Sequence, residues 1–280
     1  MGNVFVDIFA EAIKQPFEFS MPWNSKALKE GYKSVALDVK HATKVHLEIR
    51  MKSENNEDIL SQIIKANECS EALDMQDLLE EYTIFLMAAM ETTAITMATV
   101  VQFLTNNPEQ SEKVQEEVDE VFEGKENLVH GDIIKLKYLD CVIKETLRMK
   151  GPAFVTQRVC KNDNVVVEGV HFPKETAVFV SFEVIQNDTR YWVEPSVFNP
   201  DQFSGDSGKN IGGFTYMPFS AGPRNCIGKN FALLEMKVVL ANIIRKFNFV
   251  NPNLGVKDPP RMGAFTVRPL DGVPVKIYSR

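Results

Sequence analysis

The chain has 280 residues, 44% of them hydrophobic and 25% charged, enough to bury a large core as one big domain or two ordinary ones. A net charge of −7 argues against a general nucleic-acid surface. Four cysteines (Cys69, Cys141, Cys160, Cys226) lie far apart without zinc spacing, and a disulfide framework would be odd in a chain of this size, which points to a reducing compartment.

The opening MGNVFVDIFAEAIKQPF carries early acids and no cleavage site, so it reads as neither signal peptide nor anchor. Val6 stands where a myristoylation signal needs Ser or Thr. Residues 24–52 are predicted as a charged amphipathic helix, and residues 58–66 as a short helix with Ile59, Leu60, Ile63 and Ile64 on one face. A long helix over residues 74–104 stops at Asn107-Pro108, because proline cannot continue it. Its segment 84–104 is of bilayer length with one charge, Glu91, beside Thr92 and Thr93. A buried central helix with a functional acid fits that pattern better than a membrane span.

The next helix covers residues 108–122 and ends at Gly124. Another begins after Asp132, turns Leu136, Leu139, Ile143 and Leu147 inward, and ends before Gly151-Pro152. Residues 154–182 then hold three β-rich runs, FVTQRV, NVVVEGV and TAVFVSF. Residues 187–218 are loop-like, a last helix spans residues 229–247, and short strands close the chain. No linker divides it and no repeat recurs. The expected class is mainly α with minor β.

The most informative segment is FSAGPRNCIG, residues 219–228. Cys226 lies just before a helix, after a Gly-Pro turn and ahead of Gly228. A helix N-terminus and its free N–H groups favour thiolate over thiol and can donate to the sulfur. Gly222 and Gly228 permit close approach of backbone to a flat cofactor, and Arg224 is suited to a carboxylate.

This segment resembles the cytochrome P-450 signature F-x-x-G-x-R-x-C-x-G at every fixed position: Phe219, Gly222, Arg224, Cys226 and Gly228. The resemblance implies haem b ligated by Cys226. Glu145-Thr-Leu-Arg148 resembles the family's E-x-x-R, an acid and a base close enough to pair on one helix face. The arginine that normally completes that network is replaced by Gln202, which donates hydrogen bonds without charge, so a weaker network is expected. Ala88-Ala89-Met90-Glu91-Thr92-Thr93 looks like the oxygen-activation segment, with Ala89 in place of the usual glycine. Thr92 can bond the carbonyl four residues back, and Glu91 and Thr92 would relay protons to bound O₂. Arg158, in the first β run, matches an arginine that reaches the second haem propionate. The four histidines and the other cysteines read as structural.

Pro22-Trp23-Asn24 and residues 57–68 look most like animal cholesterol 24-hydroxylases, while fatty-acid hydroxylases share the region around KNFALLEMKVVL. The family's N-terminal anchor, early sheet and propionate-clasping helix have no counterpart here. The reading is therefore of a cytochrome P-450 fold lacking its N-terminal portion, with residues 1–280 as one haem domain. The resemblance implies a monooxygenase that hydroxylates a lipophilic substrate with O₂, a sterol first and a fatty acid second. A peroxide-rearranging relative is disfavoured by Glu91 and Thr92, and a truncated, non-catalytic haem-binding remnant is the other alternative. A flavoprotein reductase would donate electrons at the cytoplasmic face of the endoplasmic reticulum membrane, with membrane association in the full-length protein. Residues 224–246 carry five cations (Arg224, Lys229, Lys237, Arg245, Lys246) against Glu235, an excess of four suited to an acidic docking partner.

Overall fold

The computed structural model describes residues 41, 43–45, 48–49, 58–70, 74–209, 211–252, 261–263, 266–269 and 272–280. Most of the helix predicted at residues 24–52, and Pro22-Trp23-Asn24, lie outside these; residues 41, 43–45, 48 and 49 are helical. The chain forms two compact units, residues 1–91 and 92–280.

In the first unit, α1 (Ile59–Ser70) outruns the predicted stretch by four residues. Asp58 starts it, accepting from Ser61 N and Ser61 Oγ at 2.8 Å each, which satisfies an orphan amide of the first turn. α2 (Met75–Asn106) begins with a reciprocal cap: Asp77 N donates to Asp74 Oδ1 at 2.8 Å and Asp74 N to Asp77 Oδ2 at 3.2 Å. Leu60 and Ile64 of α1 cluster with Leu78, Leu79 and Tyr82 of α2.

α2 continues into the second unit and ends where Asn107-Pro108 predicts. Asn107 Nδ2 satisfies the Phe103 carbonyl at 2.8 Å, and Pro108 opens α3 (Pro108–Phe122), where its missing N–H costs little. Along α2, Thr83, Thr96 and Thr99 hydroxyls bond carbonyls four residues back at 2.7–2.8 Å, so the helix satisfies these hydroxyls itself. Among the described residues it alone is long and apolar enough to cross a membrane. Its ends pack in cores, whereas Ile84 and Met90 in its middle are exposed.

α4 (Lys137–Lys150) starts later than predicted. Asp132 instead organises a single turn, His130–Ile133, and holds Lys125 and Lys135 at 2.5 and 3.1 Å. The true start is set by Glu117 of α3, whose carboxylate accepts from Lys137 N, Tyr138 N and Leu139 N at 2.7–2.9 Å. An anion on these amides also complements the helix dipole. The predicted inward stripe holds: Leu136, Leu139, Ile143 and Leu147 are at most 2% exposed. They join Val100 and Leu104 of α2, Val114 and Val118 of α3, and Met236, Leu240 and Ile244 of α5 (Lys229–Lys246) in one core.

Among the described residues the β content is four two-stranded antiparallel sheets. β1 (Val155–Val159) pairs with β4 (Ala177–Ser181), Val155 opposite Ser181. The run NVVVEGV is not one strand but a hairpin, β2 (Val165–Val167) and β3 (Val170–Phe172). Glu168 and Gly169 turn it with φ of 48° and 79°, the positive pair a two-residue loop requires. β5 (Phe247–Val250) pairs with β8 (Lys276–Ser279), and β6 (Arg261–Gly263) with β7 (Val267–Pro269). The loop of residues 187–218 contains a 3-10 turn, Pro200–Phe203, and a single helical turn, Gly205–Lys209. The expected class, mainly α with minor β, is what the chain adopts.

Candidate functional site

α4 carries a polar knot at its C-terminal end. Glu145 and Arg148 are fully buried and form a two-pronged pair, Nε to Oε2 at 2.7 Å and Nη2 to Oε1 at 2.8 Å. The remaining guanidinium donors reach the carbonyls of Gln186 and Pro195, both at 2.9 Å, and its face lies 5.0 Å from the Trp192 ring. Glu145 also accepts from Asn199 N at 2.9 Å and from Gln202 Nε2 at 2.8 Å. Gln202 thus joins the network through a hydrogen bond but brings no charge. The buried pair is left balanced one to one, which limits the desolvation penalty of an enclosed ion cluster.

Sequence reasoning missed the residue that ties this knot to the cysteine loop. Gln186, buried at the end of the single turn Phe182–Gln186, donates to the carbonyls of Leu147 and Arg148 at 3.3 and 3.1 Å. Its own carbonyl oxygen accepts from Met217 N at 2.9 Å. Tyr216 OH donates to Lys144 O at 3.1 Å, and burial holds that phenol far above its usual range. From Met217 the chain of bonds runs on: Ser220 N to Met217 O at 3.0 Å, then Cys226 N to Phe219 O at 2.9 Å.

The cysteine loop itself is tightly bent. Ser220 adopts φ 62° and Gly222 φ 79°; Gly222 meets the need without strain, while Ser220 bears it. No atom lies within 4 Å of where a Gly222 side chain would start, so its glycine is required by conformation, not space. Gly222–Arg224 form a 3-10 turn closed by Asn225 N to Gly222 O at 3.1 Å. Gly228 has an ordinary negative φ, and a Cβ added there would sit 3.9 Å from Cys226 Sγ. The sulfur is therefore folded back toward the N-terminus of α5. Cys226 and Arg224 are exposed. Cys141, by contrast, is buried, and burial pushes its thiol pKa up; Cys160 Sγ is engaged with Asn162 O at 3.2 Å.

On α2, Glu91 and Thr93 are buried, Thr92 is partly buried, and Thr92 O accepts from Thr96 Oγ1 at 2.8 Å. Arg158 is exposed on β1, bonded to Thr156 Oγ1 and Gln157 O at 2.8 and 2.9 Å. The basic segment after the cysteine is less uniform than its sequence implies. Lys237 is occupied by Asp140 at 2.7 Å and mostly buried; burial alone would raise the Asp140 pKa, but Lys144 and Lys237 together lower it. Arg245 stacks on Phe122 at 4.4 Å and bonds Glu126 O. Arg224, Lys229 and Lys246 remain exposed. Glu235 is only partly exposed: one carboxylate oxygen is enclosed, and the Thr93 side chain hydrogen-bonds to the group.

These residues suit a flat, apolar, thiolate-ligated group. The exposed Cys226 thiol stands just before a helix N-terminus, and Ile227 (88% exposed) and Phe231 (49%) offer apolar surface beside it. Among the described residues no cluster of three or more His, Cys, Asp or Glu could hold a bare ion.

Residues 5–273 match the cytochrome P450 family, and the chain belongs to it. Membership implies a haem-thiolate iron in general. Cytochrome P450 3A7 of Homo sapiens is 38% identical over 189 residues, 68% of this chain and 37% of its own length. Cytochrome P450 3A28 of Bos taurus is 37% identical over 203 residues, 71% of this chain and 40% of its own. The chain thus spans well under half of these relatives. The narrower likeness to cholesterol 24-hydroxylases finds no support among them, since it rested on short matches in the first quarter of the chain, partly outside the described residues.

Proposed function

We propose that residues 1–280 belong to one haem domain of a monooxygenase in which Cys226 ligates haem b. The observation that supports this best is the bent loop of residues 219–228, which is anchored through Met217 to the Glu145–Arg148 knot and leaves the Cys226 sulfur exposed at the start of α5. When bound there, the haem supplies oxygen activation, with thiolate ligation favouring O–O cleavage.

The protein's own residues have separate tasks. Cys226 binds as thiolate. Phe219, Gly222 and Gly228 shape the loop, and Arg224 and Arg158 pair with the two propionates. Glu91 and Thr92 hold and move protons for O₂, a general-acid role. Ala89, in place of glycine, narrows the groove by a methyl. Glu145, Arg148 and Gln202 hold the fold in place and do no chemistry.

The substrate is a lipophilic small molecule. A sterol is the first reading and a fatty acid the second. A flavoprotein reductase delivers electrons, docking near the exposed Arg224, Lys229 and Lys246, at the cytoplasmic face of the endoplasmic reticulum membrane. Binding spectra of the haem-loaded protein against sterols and fatty acids, followed by turnover with reductase and O₂, test this reading. A hydroxylated product supports it, and haem binding with no oxidation of either class contradicts it. Thr92→Ala should divert electrons from product to hydrogen peroxide. Lys229→Glu should slow reduction at low salt, with the difference shrinking as salt screens charge over about 8 Å at physiological strength.

A further inference from the structure

Between the cysteine loop, the middle of α4 and the start of α5 lies a small cavity of about 90 Å³, room for about three waters. Lys144 of α4, Lys229 and Leu233 of α5, and residues 216–220 line it, and none of these is acidic. The charges around it do not balance. Asp140 holds Lys144 at 2.6 Å and Lys237 at 2.7 Å, one carboxylate against two ammonium groups, all three side chains at most 35% exposed. Lys229 adds a second surplus charge, and its ammonium pairs with no described residue. A partly enclosed cation without its counter-charge bears a desolvation cost that an arriving anion offsets.

The walls of the cavity are fixed in advance. Tyr216 OH donates to Lys144 O at 3.1 Å, Met217 N to Gln186 Oε1 at 2.9 Å and Ser220 N to Met217 O at 3.0 Å. Ser220 stands at φ 62°, where glycine would sit without strain, and its hydroxyl bonds no described residue. Two ammonium groups and an uncommitted hydroxyl thus border one small space.

We propose that this cavity is a binding site for a phosphate-class oxyanion, held by Lys144, Lys229 and Ser220. Lysine serves phosphate as a compact point charge, and phosphate oxygens accept from several directions at once. Binding there does not depend on the monooxygenase reading. One consequence does rest on it: Lys229 is among the cations at which the electron donor docks, so an occupied cavity lowers the charge offered to an acidic donor and slows reduction.

The test uses the haem-loaded protein at low ionic strength, with inorganic phosphate followed by phosphorus NMR. Phosphate should bind with a millimolar or lower dissociation constant, and chloride at matched ionic strength should not displace it. Lys229→Ala should weaken binding about tenfold and Ser220→Gly about threefold. Lys246→Ala, which removes an exposed cation that does not line the cavity, should leave binding unchanged. Ser220→Gly suits the positive φ and removes only the hydroxyl, so the test survives if a lysine variant fails to fold. Adenosine monophosphate binding more tightly than inorganic phosphate would identify the ligand as the phosphate end of a larger molecule, and equal affinity would identify the free ion. Displacement by chloride, or equal weakening in Lys246→Ala, would overturn the site. Phosphate that binds as described yet leaves reduction by the flavoprotein donor unchanged would uphold the site and contradict the docking reading alone.

Discussion

The Glu145–Arg148 knot and the cysteine loop are joined by hydrogen bonds yet built on opposite principles. In the knot, Glu145 accepts four hydrogen bonds and Arg148 is enclosed by carbonyls, a carboxylate and an indole face. In the loop, a non-glycine residue sits at positive φ and the reactive side chain is exposed. Strain and exposure are tolerable in the loop because the knot has one satisfied arrangement and transmits it through Gln186 and Met217. The proposed haem ligand thus stands at the open end of a rigid connection.

Breaking the knot should therefore cost the most. Arg148→Met leaves Glu145 as a buried, unpaired charge, and about 3–5 kcal/mol of stability should be lost, read by denaturant unfolding. Gln202→Ala removes one hydrogen bond to that carboxylate, for a loss of about 1.5–3 kcal/mol in the same assay. Gln186→Leu sharpens the comparison. It should cost about 1–3 kcal/mol by stranding Met217 N and two α4 carbonyls, and should lower haem affinity more than Gln202→Ala does, because it cuts the connection between knot and loop. The smallest effect should come from Ser220→Gly, which relieves a positive φ worth about 1–2 kcal/mol but adds unfolded-state entropy. Its melting temperature should change little or rise slightly.

The sequence exposed these two regions unequally. The Glu145–Arg148 spacing and the leucine stripe of α4 follow from helical periodicity, and the end of α2 follows from one proline. The rest of the knot was not legible, because Gln186, Pro195 and Asn199 lie 38, 47 and 54 residues from their partners, and two of the three act there through backbone atoms alone. The start of α4 was misplaced for the same reason: its cap is Glu117 on a different helix. The β2–β3 turn is faint in the sequence because Glu-Gly is a weaker signal than Asn-Gly. In the sequence Lys237 and Glu235 both read as surface charges, yet Asp140 claims the first and Thr93 of α2 bonds the second. For Glu235 the signal was present, as a lone acid inside an apolar helical run.

Central to this account is Cys226 as the haem ligand, and the reduced carbon monoxide complex tests it most directly. The wild-type protein should show the red-shifted Soret band of thiolate ligation. Cys226→Ser should abolish that band, while Cys141→Ser and Cys160→Ser keep it. A Cys226→Ser protein that retains the band, or its loss in either of the other two, would contradict the assignment.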